Sequence, residues 1–219
     1  MTRDGLGNII YQNIKGGTHV SVLWAMSLWA AAHVLATFGW GQTIWRRRGM
    51  PTRWLVGLGW LIGILGWVGI RVSDQGVRLD LGFLLLTAVA WGFLLRYGSY
   101  RAWLLAALLA LFVGGLAQWV PYTSQEAQWL PIVPLEGVSW GLFAAVSVGD
   151  AGEASMTAAS GAGLGLWWHH GLHQLSIGRH TTAMLYFATL SAWAVGWILH
   201  RNLPLDPDER AGDNQPVLR

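Results

Sequence analysis

The densest group of metal-capable side chains is the run WWHHGLHQLSIGRH at 167–180. His169 and His173 stand four residues apart, His170 and His173 three apart, and His180 follows. On a helix, imidazoles at i and i+4 project from one face, where they can share a divalent metal or offer an axial ligand to haem. Against that chemistry, Gly171 is expected to interrupt the helix, no HExxH is present, and no cysteine or nearby carboxylate completes a ligand set. The competing reading is a set of interfacial histidines that holds no metal. No cofactor is named by any motif: P-loop, dinucleotide fingerprint and nucleophile elbow are all missing.

Three carboxylates form the second candidate, a cation or proton site. Glu136 follows Pro131 and Pro134, and Asp150 and Glu153 lie three apart. If helical, those two share a face. The alternative is that they cap a helix start, where negative charge is favoured. A helix from 153 to 169 rises about 24 Å. The acids at 150 and 153 therefore cannot share a ligand with the histidines unless the intervening segment folds back on itself. His33 is a separate candidate, more simply read as hydrogen-bonded to a neighbouring helix. The segment Ala159-Ser160-Gly161-Ala162 looks like the serine segment of rhomboid intramembrane proteases. The later histidines outside the cluster, His180 and His200, fall at the ends of an apolar stretch and not at the depth of Ser160, so small-residue packing explains the motif better.

The elements that must position these groups are apolar. The chain is 53% hydrophobic and 11% charged, with 16 Trp, and its mean hydropathy is +0.40. A soluble domain carries roughly 25% charged residues. Stretches near 20–42, 54–70, 81–96, 102–120, 130–148, 155–168 and 183–199 approach the ~20 apolar residues needed to cross a bilayer. The expectation is an all-α polytopic transmembrane bundle of seven spans. The sixth stretch is rich in small residues, which leaves a tilted or re-entrant helix, and six spans, as the alternative. Residues 1–19 read as a polar N-terminal segment, 20–200 as the bundle, and 201–219 as a disordered cytoplasmic tail.

Basic residues set the orientation. Arg46-Arg47-Arg48 with Arg53, and then Arg96 with Arg101, mark alternate loops, whereas the loop after the fourth stretch, PYTSQEAQW, has no basic residue. Loops rich in Arg stay in the cytoplasm, which places the N-terminus outside and the C-terminus inside. The pI of 9.7 then reflects these loops, and nucleic acid is not an expected partner. With no cysteine, thiolate metal sites, Fe–S clusters and Cys nucleophiles are excluded.

Trp40, Trp45, Trp54, Trp103, Trp119, Trp129, Trp167 and Trp168 fall at span ends, where an indole is best placed at headgroup level. Within the spans, Gly59/Gly63 and Gly161/Gly165 form GxxxG pairs that let helices approach closely. Such faces serve packing within the chain, with a homo-oligomer or a membrane-protein partner as the alternative.

The layout resembles the YphA-like membrane proteins of endospore-forming bacteria. The points of likeness are Trp29 through Ala36-Thr37-Phe38 before a basic turn, Gly152-Glu153 opening a late span, and Leu175-Ser176-Ile177-Gly178 before the last. The resemblance implies a small integral membrane protein connected with sporulation and supplies no catalytic residues. The function expected from sequence is thus a non-catalytic structural or partner-binding component of the cell membrane. A small-solute or proton-coupled transporter is the alternative, followed by a metal- or haem-binding membrane enzyme.

Overall fold

Long apolar runs with few β-branched clusters favour helix, and each of the seven stretches contains one. The computed structural model describes residues 22–39, 52–71, 78–116, 132–172 and 177–200. The polar N-terminal segment, Arg46-Arg47-Arg48, the PYTSQEAQW loop, His173 and the 201–219 tail lie outside the described residues. Within them the helices are α1 (Val22–Thr37), α2 (Thr52–Leu65), α3 (Leu81–Tyr97), α4 (Tyr100–Leu116), α5 (Ile132–Ser147), α6 (Ala151–Leu166) and α7 (Arg179–His200). One helix is long and apolar enough by itself to cross a membrane, over Arg179–Leu199.

The sixth stretch proves to be the centre of the bundle. Every residue of α6 except Leu164 is buried, and the helix packs on α3, α4, α5 and α7. Its small side chains permit this. A Cβ on Gly161 would lie 2.7 Å from the Ala106 carbonyl oxygen of α4, and one on Gly165 would lie 2.7 Å from Val113 Cβ. The helix starts at Ala151 rather than 155, because Asp150 caps it: the Asp150 carboxylate accepts from Glu153 N at 2.8 Å. It is a continuous α-helix and does not fold back. Nor does Gly171 break the chain's helical path. Trp167–Leu172 forms a π-helical turn directly after α6, and Trp168 packs over Gly114 of α4.

Many large side chains face outward. Leu95 (73% exposed), Val146 (72%) and Phe112 (55%) point away from the bundle, as do Leu104, Leu108, Leu142 and Phe143. The core beneath them contains many alanines, together with large side chains such as Trp29, Trp140, Phe83, Phe93 and Tyr186.

The second stretch departs from expectation. Its helix stops at Leu65, and the chain turns through Gly66–Val68 into an antiparallel hairpin, β1 (Gly69–Arg71) with β2 (Arg78–Asp80). At this point the chain and α3 approach so closely that a Cβ on Gly82 would lie 2.6 Å from Gly66 Cα. Leu79 of β2 also bridges in parallel to Ile177, which ties the hairpin to the start of α7. Gly39, at φ 98°, takes the left-handed conformation just beyond α1 that a side chain rarely adopts.

These contacts separate two glycine classes. Gly161→Ala pushes a methyl into the α4 backbone and is expected to cost about 1–3 kcal/mol. Gly92, with no atom within 4 Å of an added Cβ, should tolerate Ala with unchanged or slightly raised stability. Unfolding of the purified protein in detergent, followed by circular dichroism, measures both.

Candidate functional site

An aromatic stack organises the end of the bundle where α1, α2 and α7 meet. Trp29 is buried on α1, with its ring stacked on Tyr186 of α7 at 4.4 Å and inclined to His33 at 4.7 Å. Both hydroxyl and indole donors turn to carbonyls of α2. Trp29 Nε1 donates to Gly59 O at 2.9 Å, and the Tyr186 hydroxyl donates to Ile62 O at 2.8 Å. Gly59, Gly63 and Gly66 are the floor on which these rings rest. A Cβ on Gly59 would overlap the His33 imidazole, one on Gly63 would lie 3.0 Å from Trp29 Cδ1, and one on Gly66 would lie 2.5 Å from the Tyr186 hydroxyl. The first GxxxG pair therefore seats aromatic rings, and the second pair seats the α4 backbone.

Beside the stack is a partly open cavity of about 110 Å³ between α1, α2, α3, α6 and α7. Its walls are mainly aliphatic and aromatic, with His33, Ser155 and Thr189 as polar contributors. Glu136, Asp150, Glu153 and His169 do not line it.

The acids are placed as follows. Asp150 is the α6 cap described above. Glu153 is buried, and its carboxylate oxygen accepts from Ser99 N at 2.5 Å, in the turn between α3 and α4. Ser99 in turn accepts from Ala102 N through its hydroxyl at 3.2 Å. Glu153 thus fastens the start of α6 to the start of α4. Glu136 lies half-buried in the first turns of α5, one residue before Gly137, which approaches the α7 backbone at Met184. The continuity of α6 keeps Asp150 and Glu153 at one end and His169 at the other.

His169 and His170 fall in the π-helical turn, His169 half-buried. Among the described residues no three His, Cys, Asp or Glu side chains come together as a metal-holding group. Ser160 is sealed in the core with its hydroxyl donated to Thr157 O at 3.1 Å, whereas His180 is exposed at the start of α7.

Asp80 is the polar residue that sequence reasoning passed over. Only 2% exposed, it caps α3 by accepting from Gly82 N at 2.9 Å and Phe83 N at 3.4 Å. Burial pushes its carboxyl above the usual carboxylate range. The Thr182 hydroxyl, the two amides and the nearby Arg179 guanidinium pull the other way. Hairpin, α3 and α7 all meet at this carboxylate. Its signal was present in the sequence, an Asp standing directly before an apolar helical run.

No protein-family model matches the chain, and no curated protein and no solved structure is significantly similar to it.

Because folding raises the Asp80 pKa, the folded chain holds that proton more tightly than the unfolded chain does. Its contribution to stability is therefore full below the unfolded value and declines as pH rises through the raised folded value. Asp80→Asn keeps a capping oxygen and should flatten this decline, whereas Asp80→Ala should lose about 0.5–2 kcal/mol of cap stability at all pH values. Thermal melts across the acidic-to-neutral range distinguish the two.

Proposed function

We propose that this chain is a multi-pass membrane protein with seven spans, its N-terminus outside and its C-terminus cytoplasmic. It acts as a non-catalytic structural or partner-binding component. The membrane part is supported by the many Leu, Phe, Val and Trp side chains left exposed on the outside of the bundle, while its central helix α6 is made mostly of small residues. In water such contiguous apolar surface would drive aggregation. The helices shorter than α7 have 14 to 17 residues. They rise about 21–26 Å, near the lower end of bilayer hydrocarbon thickness, and a thinned bilayer or flanking turns can make up the difference. The alternation of basic loops supports the orientation.

The single observation that carries the non-catalytic reading is the use made of the acids. Asp150 and Glu153 are taken up by backbone amides at helix starts, and the cavity does not reach them. An ion or proton path needs ionisable groups facing a solvated route at mid-depth. The connection with sporulation rests on the YphA-like resemblance alone.

Topology reporters fused after Met50, Gly98 and Arg210 should report the cytoplasm, and those after Gly76 and Gln125 the exterior. An external signal at Met50 would reverse the orientation, and one at Arg210 would reduce the spans to six. In proteoliposomes carrying an internal pH dye, the protein should add no proton flux under an imposed gradient. A flux abolished by Glu153→Gln would replace this reading with a proton-coupled transporter.

A further inference from the structure

The cavity beside His33 has an unusual polar inventory. Trp29 Nε1 is committed to Gly59 O, the Ser155 hydroxyl donates to Gly152 O at 2.8 Å, and the Thr189 hydroxyl donates to Leu185 O at 2.7 Å. His33 Nδ1 lies 2.8 Å from Trp29 O. A carbonyl oxygen can only accept, so in the neutral ring the proton sits on Nδ1 and Nε2 keeps its lone pair. No described residue hydrogen-bonds to Nε2. These four side chains have spent their donors within the protein, so at His33 what is left toward a guest is an acceptor, with the Trp193 indole as a further wall of the cavity.

We infer that this cavity binds a neutral, lipid-soluble phenol or alcohol, whose hydroxyl donates to His33 Nε2 while its apolar body lies among Trp29, Trp193, Val56 and Leu86. The size is suitable. The cavity of about 110 Å³ is smaller than the closed apolar cavity of roughly 150 Å³ that holds benzene, but it is partly open, so a ring can enter without being wholly enclosed. A single ring fits with a tail left outside. The His33 tautomer supplies selectivity at that atom: a ketone, quinone or ether of the same shape brings another acceptor to Nε2 and leaves it unpaired. The inference rests on the membrane reading only for the ligand's source, the lipid phase.

The test uses the purified full chain in detergent, with 4-butylphenol and 4-butylanisole as probes and protein-free micelles as the blank, by saturation-transfer NMR and calorimetry. The phenol should bind about tenfold more tightly than the anisole, the difference one hydrogen bond makes. His33→Phe should bring the phenol down to the anisole level while anisole binding persists, which reports an intact pocket. Val56→Phe, which keeps His33 and narrows the cavity, should weaken both probes, and it carries the test if His33→Phe does not fold. Equal binding of the two probes to the natural chain would overturn the inference. So would binding no greater than the micelle blank, or unchanged binding of both probes in Val56→Phe. A chain that fractionates away from membranes yet discriminates the probes would fail the membrane reading and keep this one.

Discussion

Everything in this bundle depends on how closely other backbones can approach α6. Gly161 and Gly165 leave no room for a Cβ against α4, and a Cβ on Gly163 would lie 2.5 Å from Thr87 Oγ1 of α3. Such contacts bury little apolar area per residue, so at α6 itself large hydrophobic side chains are few. Many short dispersion contacts between close backbones hold it in place. Around this small-residue centre, large side chains pack in a surrounding layer that includes Phe83, Phe93 and Trp140, and others, such as Leu95 and Val146, stay exposed on the periphery.

Small side chains also carry few polar anchors, and the ends of the helices supply them. Asp80, Asp150 and Glu153 each accept from backbone amides at the start of a helix. There, unpaired N–H groups and the helix dipole favour negative charge. Each joins elements distant in sequence: Glu153 reaches back to Ser99, and Asp80 meets the start of α7 through Thr182. Along α2, Trp29 and Tyr186 do the equivalent work with donors aimed at Gly59 and Ile62 carbonyls. Among the described residues, helix positions are thus set in part by backbone groups answered by side chains.

The positions of the helices were legible because apolar runs of that length and composition have few alternatives. The role of α6 was not. Its Gly, Ala, Ser and Thr lowered its hydropathy and made it look like the weakest stretch, although that composition is what lets four helices surround it. The strand pair β1–β2 was missed because the apolar run continues through Trp67 and Ile70, while the close approach at Gly66 involves Gly82, a residue 16 positions later. Asp80 stands directly before an apolar helical run. Its burial follows from α7 closing over it, which no local pattern reveals. The capping role weighed for Asp150 is visible in the geometry, whereas the tie from Glu153 to Ser99 spans 54 residues. The histidine run is helical through Leu172, with a π turn absorbing the glycine expected to break it.

The central claim is that large outward side chains meet lipid while α6 sits within. The chain has no cysteine, so single cysteines at Leu95, Leu108 and Val146 can each carry a nitroxide without background. In liposomes, collision rates with dissolved oxygen and with a water-soluble nickel chelate report which medium each label meets. The account predicts frequent oxygen collisions and rare nickel collisions at all three positions. Nickel collision rates like those of a label on a soluble protein surface would contradict it.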